Sequence, residues 1–181
     1  MACHADVSCV AESPDVIVIA RSSMKQLLGL FVCLALVFLA AAAGGLASAS
    51  AGSFFMELNR PLWAPPAWLF GPAWTVLYLL MGVASWLVWR RGGFSDARPA
   101  LTLYGVQLVL NGMWTWLFFV MRSGSLAFVE IIILWILILA TVIAFWRKNR
   151  LAGVMLVPYL IWVAYASSLT FSLWQRNPSV L

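Results

Sequence analysis

Five long apolar runs constrain this chain more than any other feature: residues 27–47, 72–89, 100–121, 125–146 and 151–174. Each approaches the about 20 residues that a helix needs to cross about 30 Å of hydrocarbon at about 1.5 Å per residue. The fourth run, "FVEIIILWILILATVIAFW", is apolar all round and has no period of two. That pattern excludes a transmembrane β-barrel, whose strands alternate in polarity. Only 9% of the residues are charged, against about 25% in a soluble domain. The fold class that follows is an all-α integral membrane protein, a five-transmembrane-helix bundle.

The eleven Lys and Arg side chains lie between the runs rather than on a soluble domain, so the net charge of +5 is topological information and no nucleic-acid partner is expected. Arg21, Lys25, Arg90, Arg91, Arg98, Arg147, Lys148 and Arg150 fall on the side of the N-terminus; Arg60, Arg122 and Arg176 fall on the other. This bias puts the N-terminus in the cytoplasm and the C-terminus outside. Residues 1–23 contain an apolar stretch, "VIVIA", too short to span and preceded by Pro14, and are expected to form a disordered tail ahead of a membrane domain at 24–181. Met24, followed by Lys25 and the first run, reads as an alternative start.

The small residues "AAAAGGLASASAG" close the first run and favour close helix packing over a ligand contact. The connection that follows, 48–71, is much longer than the usual link between bundle helices. The others are short: "RRGGFSDARP" is a turn-rich loop whose Pro99 suits a first helical turn, and "RSGS" and "RKNR" are tight reversals. Cys3, Cys9 and Cys33 form no C-x-x-C or paired framework, and His4 is the single histidine, so no disulfide, redox or metal site is assigned.

Phosphate loops, H-e-x-x-H and G-x-S-x-G signatures and clustered carboxylates are missing, which leaves hydrolytic and metal-assisted chemistry without candidates. Aromatics are in excess, with 11 Trp and 11 Phe. Trp89, Trp146 and Trp174 stand at run ends and suit interfacial anchors. Others share faces. On the third run Tyr104, Gln107, Asn111, Trp114 and Phe118 stack at helical spacing; Trp74, Tyr78 and Met81 do so on the second, and Tyr159, Trp162, Ala166 and Thr170 on the fifth. Polar groups in a bilayer face the bundle interior, so Gln107 and Asn111 turn these stripes inward. Gln107 taken alone reads as interhelical glue. Glu130, one to two turns inside the fourth run, is placed to reach the interface or to pair with Arg122, a local pair rather than a relay. An inward ring of aromatics with one or two amides describes a cavity for a flat, largely apolar ligand. Arg60 near its mouth suits ligand carboxylates.

"LNRPLWAPPAWLFGPAW", "YGVQLVLNGMWTWLFF" and "VPYLIWVAYASSL" resemble, in order and spacing, the signature regions of the TspO/MBR family, the tryptophan-rich sensory proteins related to the translocator protein or peripheral benzodiazepine receptor. The resemblance runs from about Lys25 to Asn177 and implies a homodimeric five-helix protein of a bacterial membrane, binding protoporphyrin IX or haem, with no obligatory cofactor. Sterols and benzodiazepine-type ligands are further ligands of such proteins. Carried over by position, the pocket comprises Trp63 and Trp68 in a covering loop, Trp74, Asn111, Trp114, Trp162 and Ala166. Trp74 and Trp162 match the tryptophans linked to light-dependent porphyrin breakdown and would be the catalytic residues of that activity. Thr170 stands where many relatives carry asparagine, and "LTFSLWQR" has Phe171 where a sterol motif requires Tyr, which favours a porphyrin over a sterol. A porphyrin or sterol transporter is a further alternative, weakened by the lack of an obvious inverted repeat. Pro61, Pro65 and Pro66 would stiffen the connection into a lid holding Trp63 and Trp68 over the bundle mouth.

Overall fold

The computed structural model describes the backbone of residues 14–48 and 51–181 and the side chains from Met24 onward. Its elements are α1 (Pro14–Ala47), α2 (Ala51–Glu57), a 3-10 turn at Ala67–Leu69, α3 (Phe70–Thr115), a π-helical turn at Trp116–Val120, α4 (Gly124–Lys148) and α5 (Arg150–Arg176). No strand occurs among the described residues. Among the described residues, four helical stretches are long and apolar enough to cross a membrane: Met24–Ala47, Ala67–Val120, Gly124–Lys148 and Arg150–Arg176.

The second of these has 54 residues and would measure about 80 Å if straight. It is not straight. Gly93 takes φ 69°, ψ −168°, a conformation open almost only to glycine, and the chain doubles back there. The Tyr78 hydroxyl lies 2.7 Å from Asn111 Oδ1, although an unbroken helix would separate these residues by about 50 Å. α3 is therefore two antiparallel arms, 70–92 and 94–115, giving five long helical segments among the described residues. The basic stretch expected as a loop, "RRGGFSDARP", is helical on both sides of this one glycine. The second arm starts ahead of Pro99. Asp96 in its first turn pairs with Lys148 at 2.8 Å, where an acidic side chain also suits the helix N-terminus.

α1 begins at Pro14, so 14–23 continue a helix where the sequence reading has a tail; Pro14 and Asp15 both suit a first turn. The rest of the expected tail lies outside the described residues. α2 is the other addition, within the long 48–71 connection. It forms because Phe54, Phe55 and Leu58 bury against Phe118, Leu169 and Leu173 as a small core beside the main one.

α3 is the centre of the bundle, packed by α1, α4 and α5. Burial drives little association in lipid, so backbones come close where side chains are small. A Cβ on Gly82 would stand 2.6 Å from Leu34, and one on Gly29 would stand 2.2 Å from the Trp89 ring. Trp89 thus serves as a packing surface for α1. Trp174 similarly covers Gly124, whereas Trp146 at the end of α4 stays about half exposed. Between α4 and α5, Asn149 ends one helix and starts the next: its N–H donates to Phe145 O at 2.7 Å, and its Oδ1 accepts from Leu151 N at 3.0 Å, an N-cap.

Gly93→Ala is expected to lower unfolding stability by about 1–3 kcal/mol, the cost of a non-glycine residue in that backbone conformation. Thermal unfolding in detergent checks this; an unchanged transition would show that the reversal does not depend on the positive φ.

Candidate ligand-binding site

Four polar side chains form a ladder through the bundle. The Tyr78 hydroxyl donates to Asn111 Oδ1 (2.7 Å), Asn111 Nδ2 donates to the Tyr159 hydroxyl (3.1 Å), and that hydroxyl donates to Gln107 Oε1 (2.9 Å). All four are buried. The ladder joins the first arm of α3, its second arm and α5. An amide suits the middle rung because it accepts on one side and donates on the other.

A cavity of about 390 Å³ opens directly beside the upper rungs, with Tyr78 and Asn111 in its lining. This lies within the range of about 300–1,000 Å³ for small-molecule sites. Its walls are rings. Trp74 stacks on Tyr78 at 5.3 Å, Trp114 stacks on Phe118 at 5.2 Å, and Trp162 meets Phe70 edge-on at 6.1 Å. Phe55 reaches in from α2 and contacts Phe70 at 5.5 Å. Ala166 and Thr170 line the α5 wall. The α1 wall is smooth, made by Ala41, Gly44, Gly45 and Ser48.

The π-helical turn explains one wall residue. Met121 N–H bonds to Trp116 O at 2.9 Å, an i to i+5 bond that widens the turn and shifts the helical register. Phe118 and Phe119, adjacent in sequence, both line the cavity as a result, their rings 5.1 Å apart and nearly perpendicular.

The connection over this end is tied down at both sides. Asn59 N–H donates to Asn177 Oδ1 at 2.8 Å, and Asn177 Nδ2 donates back to Asn59 O at 3.3 Å. The Tyr165 hydroxyl donates to Trp63 O at 3.0 Å.

Residues 31–175 match the sequence profile of the TspO/MBR family. The chain belongs to the TspO/MBR family. Tryptophan-rich protein TspO of Chlorobaculum tepidum is 38% identical over 159 residues, covering 85% of this chain and 99% of that protein. Protein CrtK of Rhodobacter capsulatus is 37% identical over 147 residues, 80% of this chain and 92% of the relative. The translocator protein of Ovis aries is 40% identical over 126 residues, 68% of this chain and 75% of the relative. With its apolar helices, this TspO/MBR protein is an integral membrane protein.

Of the residues singled out from the sequence of this family member, Trp74, Tyr78, Asn111, Trp114, Phe118, Trp162 and Ala166 line one cavity. Four stand elsewhere. Gln107 is a ladder rung below it. Tyr104, one turn further along the stripe, packs against Phe145 at 5.5 Å and faces a different groove. Trp63 and Trp68 are 49% and 71% exposed and do not line the cavity. Trp63 packs outward against Tyr165 at 5.7 Å, so the underside of the lid consists of Ala67, Phe70 and Phe55 rather than tryptophan. The small residues closing α1, read from sequence as packing surface, form a cavity wall instead.

Two charged groups also differ from expectation. Arg122 lies over the Phe54 ring at 4.7 Å and leaves Glu130 without a hydrogen-bond partner, because Arg122 sits in the turn before α4 while Glu130 points into the bundle. Arg60 lies over the outer face of Phe55 at 5.3 Å and so stands behind a wall residue.

Asn111→Ala is expected to cost about 1–3 kcal/mol, since it leaves the Tyr78 hydroxyl without its acceptor and removes a donor to Tyr159. Tyr78→Phe breaks one bond and should cost about 1 kcal/mol. Unfolding of both variants in detergent tests the ladder; equal stability of Asn111→Ala and the parent chain would remove it as a structural element.

Proposed function

We propose that the protein binds a tetrapyrrole in the aromatic cavity and acts as a membrane sensor of that ligand. The observation that carries this reading is the lining itself: flat rings on Trp74, Trp114, Phe118 and Trp162 around an apolar space, with one amide and one hydroxyl at its floor. Such walls match the faces of a planar macrocycle, and ring-on-ring contacts contribute about 0.5–1.5 kcal/mol each beyond buried area. No His, Cys or Met stands among the described lining residues, and the Tyr78 hydroxyl is engaged with Asn111, so an iron centre would lack a free axial ligand. Metal-free protoporphyrin IX therefore fits better than haem.

In this reading the two arms of α3 each cross the bilayer, so the protein makes five crossings, with the N-terminus cytoplasmic and the C-terminus external by charge bias. It works as a homodimer in a bacterial membrane and needs no resident cofactor. Sterols and benzodiazepine-type compounds are weaker candidates for the same space. Movement of a porphyrin or sterol across the membrane is the competing role.

The stacking of Trp74 on Tyr78 favours a second reading for the same ligand, light-driven porphyrin breakdown. An indole is an easily oxidised side chain, and both Trp74 and Trp162 border the cavity. Electron exchange with an excited porphyrin needs no acid–base pair.

Protoporphyrin IX should quench the intrinsic tryptophan fluorescence of the full chain saturably, and Trp162→Ala or Asn111→Ala should raise the half-saturating concentration about tenfold, a change of about 1.4 kcal/mol. Unchanged affinity in both variants would remove this cavity as the site. Under illumination, Trp74→Phe should retain binding and slow bleaching of the bound porphyrin; equal bleaching rates would exclude a photochemical role for Trp74.

A further inference from the structure

The roof of the cavity contains the longest non-helical stretch among the described residues, from the end of α2 at Glu57 to the 3-10 turn at Ala67. Within it the chain makes only turn bonds of its own, such as Ala64 N–H to Pro61 O at 3.0 Å. Pro61, Pro65 and Pro66 each fix φ, so this strap moves as a stiff piece. At its far end Ala67 and Phe70 face the cavity. The helices around the cavity are held by continuous backbone bonds, and three of their segments are joined by the polar ladder. Segments with few backbone bonds open first, so the strap is the part of the enclosure that yields most readily.

Two side chains hold the strap down. The Tyr165 hydroxyl donates to Trp63 O at 3.0 Å on an exposed face. Asn177, which closes α5, does more. It is buried, and its amide accepts from Asn59 N–H at 2.8 Å while donating to Asn59 O at 3.3 Å and to Leu173 O at 2.8 Å. One amide thus takes both backbone groups of a residue at the base of the strap and fastens them to the last turn of α5, whose Leu173 lines the cavity. The end of α5 does not need this side chain for its cap, because Asn177 N–H already bonds to Trp174 O at 3.3 Å. The Asn177 carbonyl accepts from Val180 N–H and Leu181 N–H, both at 3.0 Å, and Leu181 packs on the smaller core, so the last residues of the chain back the pin.

We propose that Asn177 is the latch of the roof, and that its release sets the rate at which the cavity exchanges its contents. This rests on the reading of the cavity as a ligand site and adds its door. Releasing the strap breaks the Asn59 pair without dismantling a core, since Phe54, Phe55 and Leu58 stay rooted against Phe118, Leu169 and Leu173. The opening is therefore local. Neither Asn59 nor Asn177 lines the cavity. A residue that holds the door without touching the occupant changes entry and exit by one factor and leaves affinity alone, as long as the closed roof remains the major state. A wall residue such as Trp162 changes affinity instead.

The full chain carrying Cys3→Ser, Cys9→Ser and Cys33→Ser, with Ala166→Cys as a reporter in the cavity wall, is placed in phosphatidylcholine nanodiscs. It is treated with methanethiosulfonate ethylsulfonate, an anion excluded from hydrocarbon, and modification is followed by intact mass. Asn177→Ala is expected to speed modification about tenfold, and Tyr165→Phe, which removes one exposed bond, about threefold. Hydrogen exchange of 104–111 and 156–163, the ladder segments, should stay at the parent rate. Protoporphyrin IX should associate with and leave Asn177→Ala faster by a common factor, with its half-saturating concentration within about twofold of the parent value. An unchanged modification rate would overturn the latch. So would modification of the parent as fast as at Ser179→Cys, an exposed control position, since the cavity would then stand open to water. Faster exchange in the ladder segments would also overturn it, by making Asn177 a support of the whole fold. A thiol that responds to Asn177→Ala in a protein that binds no porphyrin would uphold the latch and remove the porphyrin as occupant. A porphyrin that binds at rates indifferent to Asn177→Ala would overturn the latch as the way in.

Discussion

Hydrocarbon offers no water to a polar side chain, and the bundle is organised around how Asn111 is satisfied without it. An amide in the middle of a membrane helix must find an acceptor for its N–H and a donor for its oxygen within the protein. Tyr78 and Tyr159 supply these from two other segments. The rotational setting of the three segments is thereby linked, and so is the floor of the cavity. Gln107 extends the same logic by one turn, accepting from Tyr159 and so completing the ladder rather than meeting ligand.

Above that floor the fold leaves space where a bundle of this composition would normally close up. Two features hold it open. Many wall residues are rings, which have few rotatable bonds and resist collapsing inward, set beside aliphatic residues such as Leu134 and Leu169. The α1 wall is made of Ala and Gly, too small to fill the volume facing it. The roof needs separate support because it has little length of regular structure, and it gets it from α2, whose two phenylalanines root it in the smaller core, and from the mutual bonds of Asn59 and Asn177. Prolines limit the freedom of the rest.

Much of this was legible in the residues. Apolar runs longer than any soluble helix needs and the helical spacing of Trp74 and Tyr78, Asn111, Trp114 and Phe118, and Trp162 and Ala166 identify three of the walls, because a regular helix converts spacing into direction. Legibility ended where that conversion fails. The π-helical turn shifts the phase after Trp116, so Phe119 joins Phe118 against the rule that neighbours diverge. α2, at seven residues, is too short for periodicity to register and depends on Phe70 and on the distant Phe118, Leu169 and Leu173. Trp63 and Trp68 lie outside helices altogether, and composition could assign them to the lid but not to its outer surface. Glu130 and Arg122 are close in sequence, yet the turn at Ser123 sends them in different directions.

The reversal at Gly93 has a consequence for how the family's sequences can vary. Surface connections ordinarily absorb inserted residues because slack in the backbone isolates one helix from the next. Here the two arms of α3 are joined with no slack, so the phase of the second is inherited from the first through one pair of dihedral angles. One extra residue would turn the second arm by about 100° and carry Asn111 out from between its two tyrosines. An inserted residue would be taken up instead in the 48–71 connection, where no single pair of dihedral angles sets the phase of the next helix.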